Sequence, residues 1–204
     1  MIFNRTEQKQ TGIGMPAINL RSGRVTLRPP EKEDWHEWAM LRSQNRAFLQ
    51  PWEPTWDEDC LQEDYFERRI NRLSREWHAD RAYSFLVIHN ESEKIIGGIN
   101  INSVCRGAAQ FASLGYWIAQ HQQGHGYMAE TIRIICAYAF ENRKLHRLNA
   151  ACLPENTRSR SLLERSGFKE EGFAARYITI DGLWRDHVLY GLPVEEWKKH
   201  DIVA

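Results

Sequence analysis

Gly124 and Gly126, one residue apart, stand between a β-rich run that ends at Ile118 and a long helical stripe. Met128, Ile132, Ile135, Cys136, Ala139 and Phe140 recur at helical spacing, while Glu130, Arg133, Glu141 and Arg143 fall off that face. A strand that turns into a helix through two glycines sets bare backbone beside the free N–H groups of the helix start, an arrangement suited to phosphate. The same glycines would also serve a plain tight turn. Gly124-His125-Gly126-Tyr127-Met128-Ala129 also matches the dinucleotide fingerprint, but that motif needs repeated βαβ units and an acidic residue about 20 positions on. Here the preceding half reads as hairpins, and the first acidic residue past the next strand is Glu155, beyond Pro154.

The rest of the chain supplies the frame. Arg24 to Arg28 alternates and stops at Pro29-Pro30, which predicts a first strand. Glu31 to Arg46 and Asp59 to Ala79 predict helices. Between them, Pro51 and Pro54 make Phe48 to Pro54 a stiff aromatic loop with no helix. Tyr83 to His89 and Lys94 to Val104 predict a hairpin, and Gln110 to Ile118 a further strand. Arg147 to Leu153 predicts a strand ended by Pro154. Thr157 to Arg165 predicts a helix closed by Gly167. Phe173 to Ile180 and Trp184 to Leu192 flank Asp181-Gly182, a tight hairpin turn. The expected class is α/β: one mixed, mostly antiparallel sheet flanked by helices. The order is strand, two helices, three strands, helix, strand, helix and a terminal hairpin. Residues 16–204 form one domain behind a polar extension, 1–15.

At 204 residues, with 27 basic and 27 acidic side chains, nothing asks for nucleic acid. No apolar run is long enough to span a membrane, and no secretory core is seen at the start. Cys60, Cys105, Cys136 and Cys152 lie far apart without a CxxC pair, which fits a reduced cytoplasmic protein. His121 and His125 straddle Gly124 before the helix begins, so no metal site is expected.

Three further segments bear on chemistry. Gln123-Gly124-His125-Gly126, Asn156-Thr157-Arg158-Ser159 and Ser161 to Phe168 follow one another in a layout that resembles the GNAT acetyltransferases. The loop of that family usually ends in Gly or Ala; Met128 departs from it while leaving the backbone donors available. Phe48-Leu49-Gln50-Pro51-Trp52-Glu53-Pro54, Leu114 to Ile118, Leu145-His146-Arg147 and Tyr177 to Leu189 look like the RimJ type of ribosomal-protein-alanine N-acetyltransferase. The resemblance covers roughly residues 20 to 193, and the PWEP loop and terminal hairpin are its more specific parts.

That resemblance implies the GNAT fold, acetyl-CoA as cosubstrate and direct transfer to a protein N-terminal α-amine, that of an alanine in a small-subunit ribosomal protein. Gln123, Gly124, His125, Gly126, Tyr127 and Met128 would hold the pyrophosphate. Trp117, Ile118 and Ala119 would pair with pantetheine, and a backbone N–H among them would face the thioester oxygen. Asn156 has the bland role of N-cap and an implied second role on the pantetheine arm. Ser159 would donate a proton to the departing thiolate, or be an ordinary helix-surface serine. Glu53 would act as base, hold the ammonium by charge, or salt-bridge a neighbour. Phe48 and Trp52 would line the acceptor site, with Asp186 in reserve or ion-paired to Arg185. The partner would be a ribosomal protein, with the enzyme a monomer or homodimer. Two other readings stay open: a GNAT enzyme for a small amine (antibiotic, polyamine or amino acid), and a non-catalytic acyl-CoA-binding module on the ribosome.

Overall fold

The computed structural model describes residues 14–197. The expected extension 1–15 lies outside the described residues except for Gly14 and Met15, and Met15 packs against both hydrophobic clusters. No helix among the described residues is long and apolar enough to cross a membrane.

The elements are β1 (Leu20–Arg21), β2 (Val25–Arg28), α1 (Trp35–Gln44), α2 (Arg46–Leu49), α3 (Glu63–His78), β3 (Tyr83–His89), β4 (Ile95–Cys105), β5 (Phe111–Ile118), α4 (Tyr127–Ala137), β6 (Arg147–Cys152), α5 (Thr157–Arg165), β7 (Lys169–Ile180) and β8 (Leu183–Pro193). Eight strands form one sheet in the order β1-β2-β3-β4-β5-β6-β8-β7. Every neighbouring pair is antiparallel except β5 and β6. The mixed α/β sheet expected from the sequence is therefore present, with two differences. A two-residue strand, β1, precedes the predicted first strand, and the last two strands exchange places so that β8 pairs with β6.

Helix boundaries also shift. The segment expected to run from Glu31 to Arg46 divides at Asn45, which is buried and takes its own hydrogen bonds. Its Nδ2 donates to Leu41 O (2.8 Å), and its Oδ1 accepts from Gln120 N (2.7 Å), tying the end of α1 to the end of β5. The helix-free loop expected at Phe48–Pro54 is corrected: α2 includes Phe48 and Leu49, and Gln50–Trp52 form a 3₁₀ turn. Pro51 sits in its first turn, where no backbone N–H is needed. The stripe on α4 continues into a π-turn at Tyr138–Asn142.

One cluster packs α4 against one face of the sheet and includes Ile132, Ile135, Leu148 and Leu163. The second packs α1 and α3 on the opposite face through Trp38, Leu41, Phe66 and Ile70. The sheet thus lies between two apolar layers. Both turn residues of the terminal hairpin, Asp181 and Gly182, have positive φ (46° and 79°), as a tight right-twisted hairpin requires.

Candidate active site

The parallel pair opens. β5 and β6 are in register only from Phe111↔Arg147 to Ser113↔Asn149, after which β5 runs on to Ile118 and β6 to Cys152 without pairing. Beyond that fork lies a cleft of about 1660 Å³. The amide of Ala119 donates to Ile96 O at 2.9 Å. Alternation along an extended strand then turns the Trp117 amide toward β4 as well, and the amides of Tyr116 and Ile118 into the fork. Of the residues expected to offer an oxyanion donor, Ile118 is the one whose N–H faces the opening.

One end of the fork meets the glycine loop. Gly124 and Gly126 adopt φ of 78° and 80°, and Gly126 is the left-handed N-cap of α4. After Gln123, whose amide donates to Gln120 O, the next amide with a backbone acceptor among the described residues is that of Glu130, bonded to Gly126 O. Several N–H groups at the helix start are therefore unspent, together with the positive end of its dipole. Arg24 braces the loop from behind. Its Nη1 donates to His125 O and its Nε to Glu130 Oε2, both at 2.9 Å, and its guanidinium lies 5.1 Å from the centre of the Tyr127 ring. Glu130, off the apolar stripe, is nonetheless buried because Arg24 supplies its counter-charge. The expected loop residues line the cleft except His125, which stacks on Tyr127 instead. Arg158 on α5 reaches across to Gln123 Oε1 (2.6 Å), placing a guanidinium at the same mouth.

Across the fork stands α5. Asn156 Oδ1 accepts from Ser159 N at 3.1 Å, so the N-cap role is met. Ser159 Oγ lies 2.7 Å from Tyr116 Oη, a partner that sequence reasoning missed. Burial holds the Tyr116 phenol well above its ordinary value, against the opposing Ser159 bond, so this hydroxyl keeps its proton, and either oxygen of the pair can donate to the other. Burial likewise pushes the Cys152 thiol up to about 11, which keeps it from being a thiolate nucleophile near neutrality.

The other face of the fork carries the PWEP segment. Glu53 is not a free carboxylate. It is bidentate to Arg42 (2.9 and 2.5 Å) and accepts from Trp56 Nε1 at 2.8 Å. Both carboxylate oxygens are thus engaged by Arg42 and Trp56, so the geometry favours the neighbour salt bridge among the roles expected for it. Arg42 in turn lies 4.1 Å from the Trp56 ring centre and 4.9 Å from that of Trp117. Gly98 permits this: a Cβ there would stand 2.6 Å from Trp117 Nε1. Glu53 O accepts from Asp181 N, and Gln50 Nε2 donates to Asp181 Oδ1, so the hairpin turn closes against this wall. Phe48 is half-buried and Trp52 is 37% exposed; both line the cleft, whereas Trp56 is buried. Asp186 and Ala119 do not line it. Asp186 Oδ1 accepts from Arg176 N, serving a bulge in β7 where Arg176 has φ of 50°, and Arg185 pairs with Glu155 rather than with Asp186.

Residues 24–169 match the family model described as acetyltransferase (GNAT) domain. The chain is 35% identical over 183 residues to the [ribosomal protein uS5]-alanine N-acetyltransferase of Escherichia coli (strain K12), covering 90% of this chain and 94% of that one. It superposes with a TM-score of 0.82 on Mycobacterium smegmatis RimJ in complex with CoA-disulfide, at 30% identity and 88% coverage of both chains. The ribosomal-protein-S5-alanine acetyltransferase from Vibrio fischeri gives the same TM-score at 27% identity, covering 88% of this chain and 98% of that chain.

Proposed function

This chain belongs to the GNAT acetyltransferase family, and we propose that it transfers acetyl from acetyl-CoA to the α-amine of a protein N-terminus, the alanine of a small-subunit ribosomal protein. The observation that carries the proposal is the fork between β5 and β6, with unspent amides on its β5 edge and a phosphate-suited helix start at its mouth. A linear ligand with a pyrophosphate at one end and amides along its arm fits that set of donors. Phosphate oxygens would accept from the amides of the glycine loop, and the arm would pair with the β5 edge in the manner of an added strand. No step requires a metal.

The chemistry assigned to the site's own residues is short. In this reading the Ile118 amide donates to the thioester oxygen as it gains charge. Ser159 then gives a proton to the leaving thiolate, a role supported by its contact with Tyr116. With the Cys152 thiol protonated, attack by the amine itself is favoured over an acyl-enzyme. An α-ammonium titrates near pH 8, so part of it is already neutral at pH 7. The cleft is lined by five arginines against two glutamates, Glu53 and Glu171, and that positive field lowers an ammonium pKa further. A dedicated carboxylate base is then unnecessary, and Glu53 serves to hold the wall. The same excess of arginine speaks against a polyamine acceptor.

Similarity to relatives named for ribosomal-protein alanine supports the choice of acceptor. The experiment is to incubate the enzyme with small-subunit ribosomal proteins and acetyl-CoA, then map acetyl groups by mass spectrometry. Acetyl on one N-terminal alanine supports the proposal; acetyl on lysine side chains only, or none, contradicts it.

A further inference from the structure

Arg69 projects from α3 into the acceptor side of the cleft, and also lines the small pocket behind it with Asn100 and Trp117. Its guanidinium carbon lies 5.8 Å from the Trp38 ring centre. It enters no ion pair among the described residues, unlike Arg42 beside it, which consumes the Glu53 carboxylate. Burial draws its pKa down to about 10, and the charges of Arg42 and Arg72 add to the effect. Two guanidiniums thus share one carboxylate, and the surplus positive charge sits on Arg69. The neighbouring strand repeats the theme. In β4, Ile99 and Ile101 are buried in the core, while Asn100 and Asn102 alternate to the opposite face. In register they face Gly115 and Ser113, so all four share the acceptor side of the sheet. Asn100 and Asn102 both line the cleft, and neither side chain has a hydrogen-bond partner among the described residues.

A half-buried cation without a counter-ion, beside an unpaired carboxamide, costs free energy that an anionic ligand would return. We infer that Arg69, with Asn100, receives a carboxylate of the acceptor, so that the enzyme selects acceptors with an acidic group close to the reacting amine. The inference rests on the acetyl-transfer reading, because that reading puts the acceptor on this face. The carboxylate comes either from an acidic side chain early in a peptide or from the α-carboxyl of an amino acid.

The test is equilibrium binding by fluorescence anisotropy, in the presence of coenzyme A. C-terminally labelled peptides begin with alanine and carry Glu or Gln at the second, third or fourth residue. The proteins are wild type, Arg69→Gln and Arg69→Lys. A Glu peptide should bind on the order of tenfold tighter than its Gln twin, as one charge-assisted pair implies. The preference should vanish in Arg69→Gln and return in part in Arg69→Lys, with coenzyme affinity equal in all three proteins. Alanine competing better than alaninamide, with no preference among the peptides, would assign the carboxylate to a free amino acid. Equal binding of every acidic and neutral pair, with alanine and alaninamide competing equally too, or a preference that survives in Arg69→Gln, overturns the inference. Thiol release in parallel samples, with acetyl-CoA in place of coenzyme A, reads the reaction separately: bound acidic peptide that is never acetylated would overturn transfer to N-termini while leaving the subsite standing.

Discussion

Tyr116 Oη and Ser159 Oγ stand 2.7 Å apart and join the far end of β5 to the first turn of α5. The pair lies beyond the last rung of β5–β6 pairing, at the point where the fork has opened. If it delivers the proton to the thiolate, Ser159→Ala should lower kcat by about 10²-fold while acetyl-CoA affinity stays nearly unchanged. Tyr116→Phe should cost nearly as much, and the double variant little more than either single one, because the two hydroxyls act as a unit. Steady-state kinetics on the four proteins reads this; fully additive losses would separate the two residues.

The pH profile follows from the same pair. Burial raises the Tyr116 pKa, so the phenol keeps its proton as pH rises through the ordinary tyrosine range. The rate should climb as the acceptor ammonium loses its proton and then hold level past about pH 9. A falling limb in kcat centred at about pH 10 or below, lost in Tyr116→Phe, would contradict this assignment.

Glu53→Gln removes the charge that holds Arg42 between Trp56 and Trp117. The expected result is loss of stability by about 2 kcal/mol, as for a hydrogen bond to a charged group in a partly buried place. Turnover should fall by the same factor at every pH. Chemical denaturation and a pH–rate series check both halves, and a loss confined to low pH would restore Glu53 as a base.

At the coenzyme loop, Gly126→Val should weaken acetyl-CoA binding more than Gly124→Ala. Both place a side chain at positive φ, at a cost of about 1–3 kcal/mol. At Gly126 a Cβ also stands 3.3 Å from Arg24 Nη2, whereas at Gly124 nothing lies within 4 Å. Isothermal titration gives the order, and unchanged affinity in both would undo the loop assignment.

Arg69→Met should raise the melting temperature. Folding desolvates a charge that no carboxylate among the described residues meets, and the lowered pKa means that the folded state disfavours that charge below about pH 10. Removing it should gain roughly 2–4 °C near neutral pH for a chain of this size, and the gain should hold up to about pH 10 and shrink above it, where the native residue sheds its proton. A drop in melting temperature would show that the side chain is held by interactions other than those described.

Much of the fold was legible because it depends on short-range patterns. Tyr83–His89 and Thr157–Arg165 fall where alternation and capping put them, and Gly167 has the positive φ expected of a helix stop. The loop at Phe48–Pro54 was misread because a proline that bars a helix interior is acceptable in a first turn. Side-chain partners separated by long stretches of chain were not legible. Arg24 bonds Glu130, Tyr116 bonds Ser159, and Asn45 bonds Gln120, each a product of the sheet's topology rather than of local spacing. Arg69 reads from the sequence as one more surface arginine on α3. Only the fold shows that it has no carboxylate partner among the described residues and lines the cleft.

The most direct measurement is thiol release from acetyl-CoA against short peptides with different first residues, run beside a set of small amines. Release is expected with alanine-starting peptides, and little or none with polyamines or antibiotics. Release with small amines alone, or with no acceptor at all, would contradict transfer to a protein N-terminus.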